Sequence, residues 1–108
     1  MTKNKWTAIR NKIGEAAAAE MVAEEAAELS AAAAKFARIL RGDNPSRMEF
    51  RGAVNALMEE IADTLNALDV LDSGEDMAYA LYAGAHARQG AKMTRWYNSL
   101  FGEEDKPC

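Results

Sequence analysis

An all-α fold follows from three features of the sequence: long stretches of strong helix formers, apolar residues recurring at helical spacing, and almost no clustering of β-branched residues. The expected architecture is a bundle of three main helices per chain, completed by oligomerisation. A leading amphipathic segment carries Trp6, Ile9 and Ile13 and ends at Gly14. The stretch from Glu15 to Arg41, EAAAAEMVAEEAAELSAAAAKFARILR, contains neither Gly nor Pro and predicts one long helix with Gly42 closing it. The loop GDNPS follows. Ser46, with Glu49 three residues later, is a capping box that opens the next helix. Its expected buried stripe is Phe50, Val54, Leu57, Ile61, Leu65, Leu68 and Leu71, and it stops near Ser73 and Gly74. A third main helix is expected from about Glu75 to Leu100, with Tyr79, Tyr82, Met93, Trp96 and Leu100 along it and with Gly84 and Gly90 loosening it. Residues 1–101 then form a single domain, and 102–108 a flexible tail.

The chain has 108 residues, enough for one core but not a generous one, and many of its apolar residues are Ala, which bury little area. Its net charge of −4 supplies no basic field for a phosphate backbone, which argues against nucleic acid as a partner. With a single cysteine, Cys108, there is no disulfide framework and no thiol pair for zinc. No apolar run of membrane-spanning length and no signal-peptide core occur, so a cytoplasmic protein without a membrane partner is expected.

Two phrases in the helical stretches match: Glu24-Glu25-x-x-Glu28 and Glu59-Glu60-x-x-Asp63. At about 100° per residue, each set of acids occupies a narrow arc of its helix. Glu60 and Asp63 adjoin Ala56, Leu57, Ala67 and Val70, at the edge of the apolar stripe, while Glu25 and Glu28 neighbour Met21, Val22, Leu29, Ala31 and Ala32. Ala-rich faces let helices approach to about 8 Å. Carboxylates gathered at such a seam need compensation, and a hard divalent cation supplies it, with Mg²⁺ favoured and Mn²⁺ able to substitute. The only histidine, His86, lies in neither motif, which argues against di-iron and zinc sites. Acid pairs on Ala-rich helices are ordinarily solvated faces; two matched sets bordering apolar stripes are what argues for a metal here. Lys35 lies two turns beyond Glu28 on the same face and suits a phosphate oxygen, although most helical lysines are simply solvated. Asn66 is placed to read a base edge or ribose, Trp96 or Tyr97 to stack on a base, and Lys92 and Arg95 to neutralise phosphates. Packing and solvation are the competing roles for these residues.

The segments EEAAEL, AAAAKFARILRGDNPS and LMEEIADTLNALDVL resemble the MazG-like nucleotide pyrophosphohydrolases of the all-α NTP pyrophosphatase superfamily, whose signature is EExxE followed on the next core helix by ExxD. The resemblance covers residues 14–72, and AKMTRW at 91–96 more loosely. The spacer between the two halves is longer here than is common in the family, through the GDNPSRMEF connection. The resemblance implies hydrolysis of a nucleoside triphosphate between the α and β phosphates to a monophosphate and pyrophosphate, with Glu25, Glu28, Glu60 and Asp63 holding Mg²⁺. Glu24 would bind a second ion or, together with Glu25, serve catalysis by orienting the attacking water. It also implies a homodimer or homotetramer with the nucleotide pocket completed across the interface. A catalytically weak nucleotide-binding or regulatory helical module is the alternative.

Overall fold

The computed structural model describes residues 3–42, 46–74 and 79–102. Among them are four helices and no strand: α1 (Lys3–Ile13), α2 (Glu15–Leu40), α3 (Arg47–Leu71) and α4 (Leu81–Phe101). The all-α expectation holds, but the count of three main helices gives way to four, because the leading segment is a helix in its own right. None of the four is long and apolar enough to cross a membrane. The chain divides into two compact units, Met1–Glu75 and Asp76–Cys108.

Within the first unit, α2 and α3 form an antiparallel hairpin. The Phe36 and Phe50 rings meet at 5.7 Å near one end of the seam, while the Thr64 hydroxyl lies 3.2 Å from the Glu25 carbonyl oxygen further along. The sequence numbers run in opposite directions between these two contacts. Gly14 breaks α1 from α2 with φ 92° and ψ 163°, a conformation open essentially to glycine alone. Gly42, at φ 113°, closes α2 where a C-terminal glycine was expected. The capping box of α3 forms in full: Glu49 N–H donates to Ser46 Oγ at 3.0 Å, and Ser46 N–H donates to Glu49 Oε1 at 2.8 Å. At its other end α3 stops at Leu71, two residues short of Ser73. There Arg10 Nε donates to the Leu71 carbonyl at 3.1 Å and the Ser73 hydroxyl to that of Val70 at 2.8 Å, so side chains satisfy carbonyls left open by the helix end. Arg10 thereby ties α1 to the hairpin.

The buried residues are small and few: Ala18 of α2, and Ala53, Ala67, Val70 and Leu71 of α3. This corrects the expected stripe. Phe50, Ile61 and Leu65 are 41%, 42% and 50% exposed, and Leu71 alone of that set is buried. The α3 residues that face α2 recur every seven positions, Ala53 and Ala67 with position 60 between them, so the apolar stripe straddles the flank of the seam. In the second unit α4 begins at Leu81, with Tyr79 and Ala80 outside the helix, later than the expected start near Glu75; residues 75–78 lie outside the described set. Ala80 occupies the N-cap without a capping hydrogen bond, and the stretch before it is made of residues that a helix accepts, so composition leaves that boundary unmarked. Residues 103–108, most of the expected tail, also lie outside the described set.

Candidate metal centre

Glu25 stands seven residues after the buried Ala18, and Glu60 stands seven residues from both Ala53 and Ala67. Both glutamates therefore occupy core register on facing helices, in the seam where only alanine-sized neighbours are tolerated. This is more central than the stripe-edge position expected for Glu60. Each is half-buried, whereas Asp63 is exposed. One carboxylate oxygen from each of Glu25, Glu60 and Asp63 lies within 4.8 Å of the other two. Glu60 Oε2 is shielded from solvent and has no hydrogen-bond donor among the described residues.

The charges at this point are mutually unfavourable. Desolvation raises the Glu60 carboxyl above its ordinary value, the neighbouring Glu28 pushes it further through its charge and a side-chain hydrogen bond, and Asp63 and then Glu25 add to the rise. Glu25 is raised by desolvation, then by Glu28, Asp63 and Glu24. Glu28 is exposed and is not one of the three acids that close to 4.8 Å, yet among the neighbouring charges it acts most strongly on both glutamates. Three of the four predicted ligands are thus brought together, with the fourth alongside. Glu24 is exposed on the side of α2 that lines a groove with Ile13, Ala17, Glu20, Met21 and Ala23.

Thr64 belongs to this centre and was not anticipated. Its hydroxyl lies 2.7 Å from the Glu60 carbonyl oxygen and 3.2 Å from that of Glu25, so a single group bridges the two glutamate backbones and holds the helices in register. The sequence signal was its position directly after Asp63, where a hydroxyl can bond one turn back and still reach across a close helix pair.

The predicted substrate residues are dispersed. Lys35 is exposed ten residues along α2 from Glu25, about 15 Å at the helical rise, and its charge helps lower the Glu49 carboxyl. Asn66 accepts a hydrogen bond from Trp6 Nε1 at 3.4 Å and so links α3 to α1. Lys92, Arg95 and Trp96 are exposed on α4, in the second unit, where Tyr97 packs on Phe101 at 4.7 Å. His86 is also on α4. Comparison of the chain with protein-family models, with curated proteins and with solved structures found no match.

The raised carboxyls carry a pH signature. Glu25 and Glu60 hold protons more tightly folded than unfolded, so above the ordinary value of 4.5 the folded chain binds more protons and stability falls as pH rises. Their favourable contribution is complete below the unfolded value and is lost through the raised folded value. Glu49 behaves oppositely: hydrogen bonds from Ser46 lower its carboxyl, and that contribution disappears on acidification below 4.5. Thermal melts without divalent ions should therefore give a higher Tm at about pH 5 than at about pH 7.5. Equal Tm values at the two pH values would contradict the origin assigned to these shifts.

Proposed function

We propose that this chain is a divalent-cation-dependent nucleoside triphosphate pyrophosphohydrolase of the MazG-like kind, and that Glu25, Glu60 and Asp63, with Glu28 beside them, hold the ion. The observation that carries this reading is the convergence of three carboxylate oxygens within 4.8 Å across a helix seam, with Glu60 Oε2 lacking any donor among the described residues. An all-oxygen, multiply anionic donor set fits Mg²⁺ or Mn²⁺. When bound, such an ion neutralises charge on the phosphoryl oxygens and lowers the pKa of attached water. The chain's own contribution is placement: the Thr64 bridge and the alanine contacts keep the two core-register glutamates facing each other, and desolvation at the seam strengthens their attraction for a cation. Glu24, exposed next to Glu25, is suited to accept a proton from water or to take a second ion.

The same reading includes self-association. Ile61, Leu65 and Met58 are 42%, 50% and 54% exposed along one flank of α3, and a dimer or tetramer would remove this strip from water. In such an assembly Lys92, Arg95 and Trp96 would act on the phosphates and base.

Incubation of a panel of ribo- and deoxyribonucleoside triphosphates with Mg²⁺ in ¹⁸O-labelled water tests the activity. Monophosphate and pyrophosphate are the expected first products. Diphosphate plus orthophosphate would refute the assigned linkage, and nucleotide binding without turnover would favour a regulatory module instead.

A further inference from the structure

The half-buried Thr64 serves two helices with one hydroxyl. It donates to the Glu60 carbonyl, one turn earlier on α3, at 2.7 Å, and reaches the Glu25 carbonyl of α2 at 3.2 Å. A single proton is shared between two carbonyl oxygens, each of which has a second lone pair beyond the one its own helix uses. The two residues so linked are the ones whose carboxylates meet in the seam. Thr64 therefore ties together the two backbone points from which Glu25 and Glu60 project.

Carboxylates by themselves do not choose between hard cations. Mg²⁺ and Ca²⁺ both take oxygen ligands, but Mg²⁺ demands near-octahedral geometry at about 2.0–2.1 Å, whereas Ca²⁺ accepts looser shells at about 2.3–2.6 Å. Oxygens on opposite sides of the ion thus stand about 4 Å apart around Mg²⁺ and about 5 Å apart around Ca²⁺. The oxygens of Glu25, Glu60 and Asp63, all within 4.8 Å of one another, need only small adjustments for either. How readily the helices part then decides between them. The buried alanines Ala18, Ala53 and Ala67 limit closer approach but resist separation weakly, since each offers a single methyl group. The cross-helix arm of Thr64 does resist it: from 3.2 Å, a widening of about half an ångström takes it out of hydrogen-bonding range. We infer that Thr64 is a positioning residue that sets the size discrimination of the ion site proposed above, its hydroxyl holding α2 and α3 at a spacing that favours Mg²⁺ over the larger Ca²⁺.

Calorimetric titration with Mg²⁺ and with Ca²⁺ tests it, the ratio of the two affinities being the readout. Thr64→Val keeps the shape of the side chain and removes the hydroxyl. Its preference for Mg²⁺ over Ca²⁺ should fall about threefold or more relative to wild type, since an ordinary hydrogen bond is equivalent to about two- to tenfold in an equilibrium constant. Thr64→Ser keeps the hydroxyl and should retain the wild-type ratio, and Thr64→Ala supplies a second hydroxyl-free chain. Val70→Ala, destabilised without touching the tie, should also keep the wild-type ratio. Circular dichroism verifies that each variant is helical. Loss of both affinities in equal proportion in Thr64→Val and Thr64→Ala would leave the hydroxyl a purely structural role and overturn the inference, as would an equal shift of the ratio in Thr64→Ser. A wild-type chain that binds neither ion would overturn the ion site itself. Binding of both ions with a ratio untouched by any variant would overturn the role of Thr64 alone.

Discussion

If the proposed function holds, Glu60→Gln should abolish stabilisation by Mg²⁺ and lower the proposed pyrophosphohydrolase activity about a hundredfold or more, and it should raise the melting temperature of the ion-free chain at neutral pH. The substitution preserves size and removes a charge held against Glu28, Asp63 and Glu25 in a partly desolvated seam. Two consequences of opposite sign follow from that one change. Without an ion, repulsion and desolvation are relieved, so the fold gains. With an ion, a ligand is lost; changes to groups merely supporting metal ligands already cost about 10–100-fold, which sets the lower end of the expected loss. Glu59→Gln, on the exposed side of α3, is the control and should leave both readouts near wild type. Differential scanning calorimetry with and without Mg²⁺, alongside pyrophosphate release, separates the two effects. A Glu60→Gln chain that keeps its Mg²⁺ response would remove Glu60 from the site.

The opposite signs matter because they distinguish a ligand from a structural acid. A glutamate retained for packing or solubility would lose stability or change nothing on neutralisation. One kept in core register between Ala53 and Ala67, with Oε2 shielded from solvent, is a local conflict within an otherwise consistent seam. Such conflicts are tolerated where a ligand resolves them.

The features written into short stretches were legible in the sequence. Ser46 and Glu49 mark the start of α3 because the reciprocal hydrogen bonds need only those two residues, and Gly14 and Gly42 delimit α2 because positive φ excludes other side chains locally. The two acidic phrases were legible for the same reason. Features depending on which partner covers a face were not. Phe50, Ile61 and Leu65 have helical spacing, but periodicity reports that a face is apolar and not what lies against it. The seam instead selected Ala18, Ala53 and Ala67, whose small size permits close approach and whose weak hydrophobicity hides them in a residue count. The centrality of Glu60 was masked because an acid in core register looks like an acid at the edge of a stripe. Thr64 escaped notice because its role spans two helices, and the start of α4 because helix-compatible residues run straight through it.

Enlarging the seam at Ala67 should damage the metal centre from a distance. Ala67 is 0% exposed and lies two turns from Glu60 on the face turned towards α2. Ala67→Leu adds three carbons where no space exists, which should cost about 1–3 kcal/mol by overpacking and force the helices apart. Because Glu25 and Glu60 approach each other only through that close contact, their oxygens should separate and Mn²⁺ affinity should fall with stability. Val70→Ala is the comparison. Val70 is 2% exposed, and its truncation removes about 1.5 kcal/mol of burial while leaving nothing to wedge the seam open. The two variants should be similarly destabilised in urea, yet only Ala67→Leu should bind Mn²⁺ more weakly in calorimetric titration under folding conditions. Equal Mn²⁺ affinities in the two would show that helix separation does not govern the site, and the seam geometry would lose its role in assembling the carboxylates.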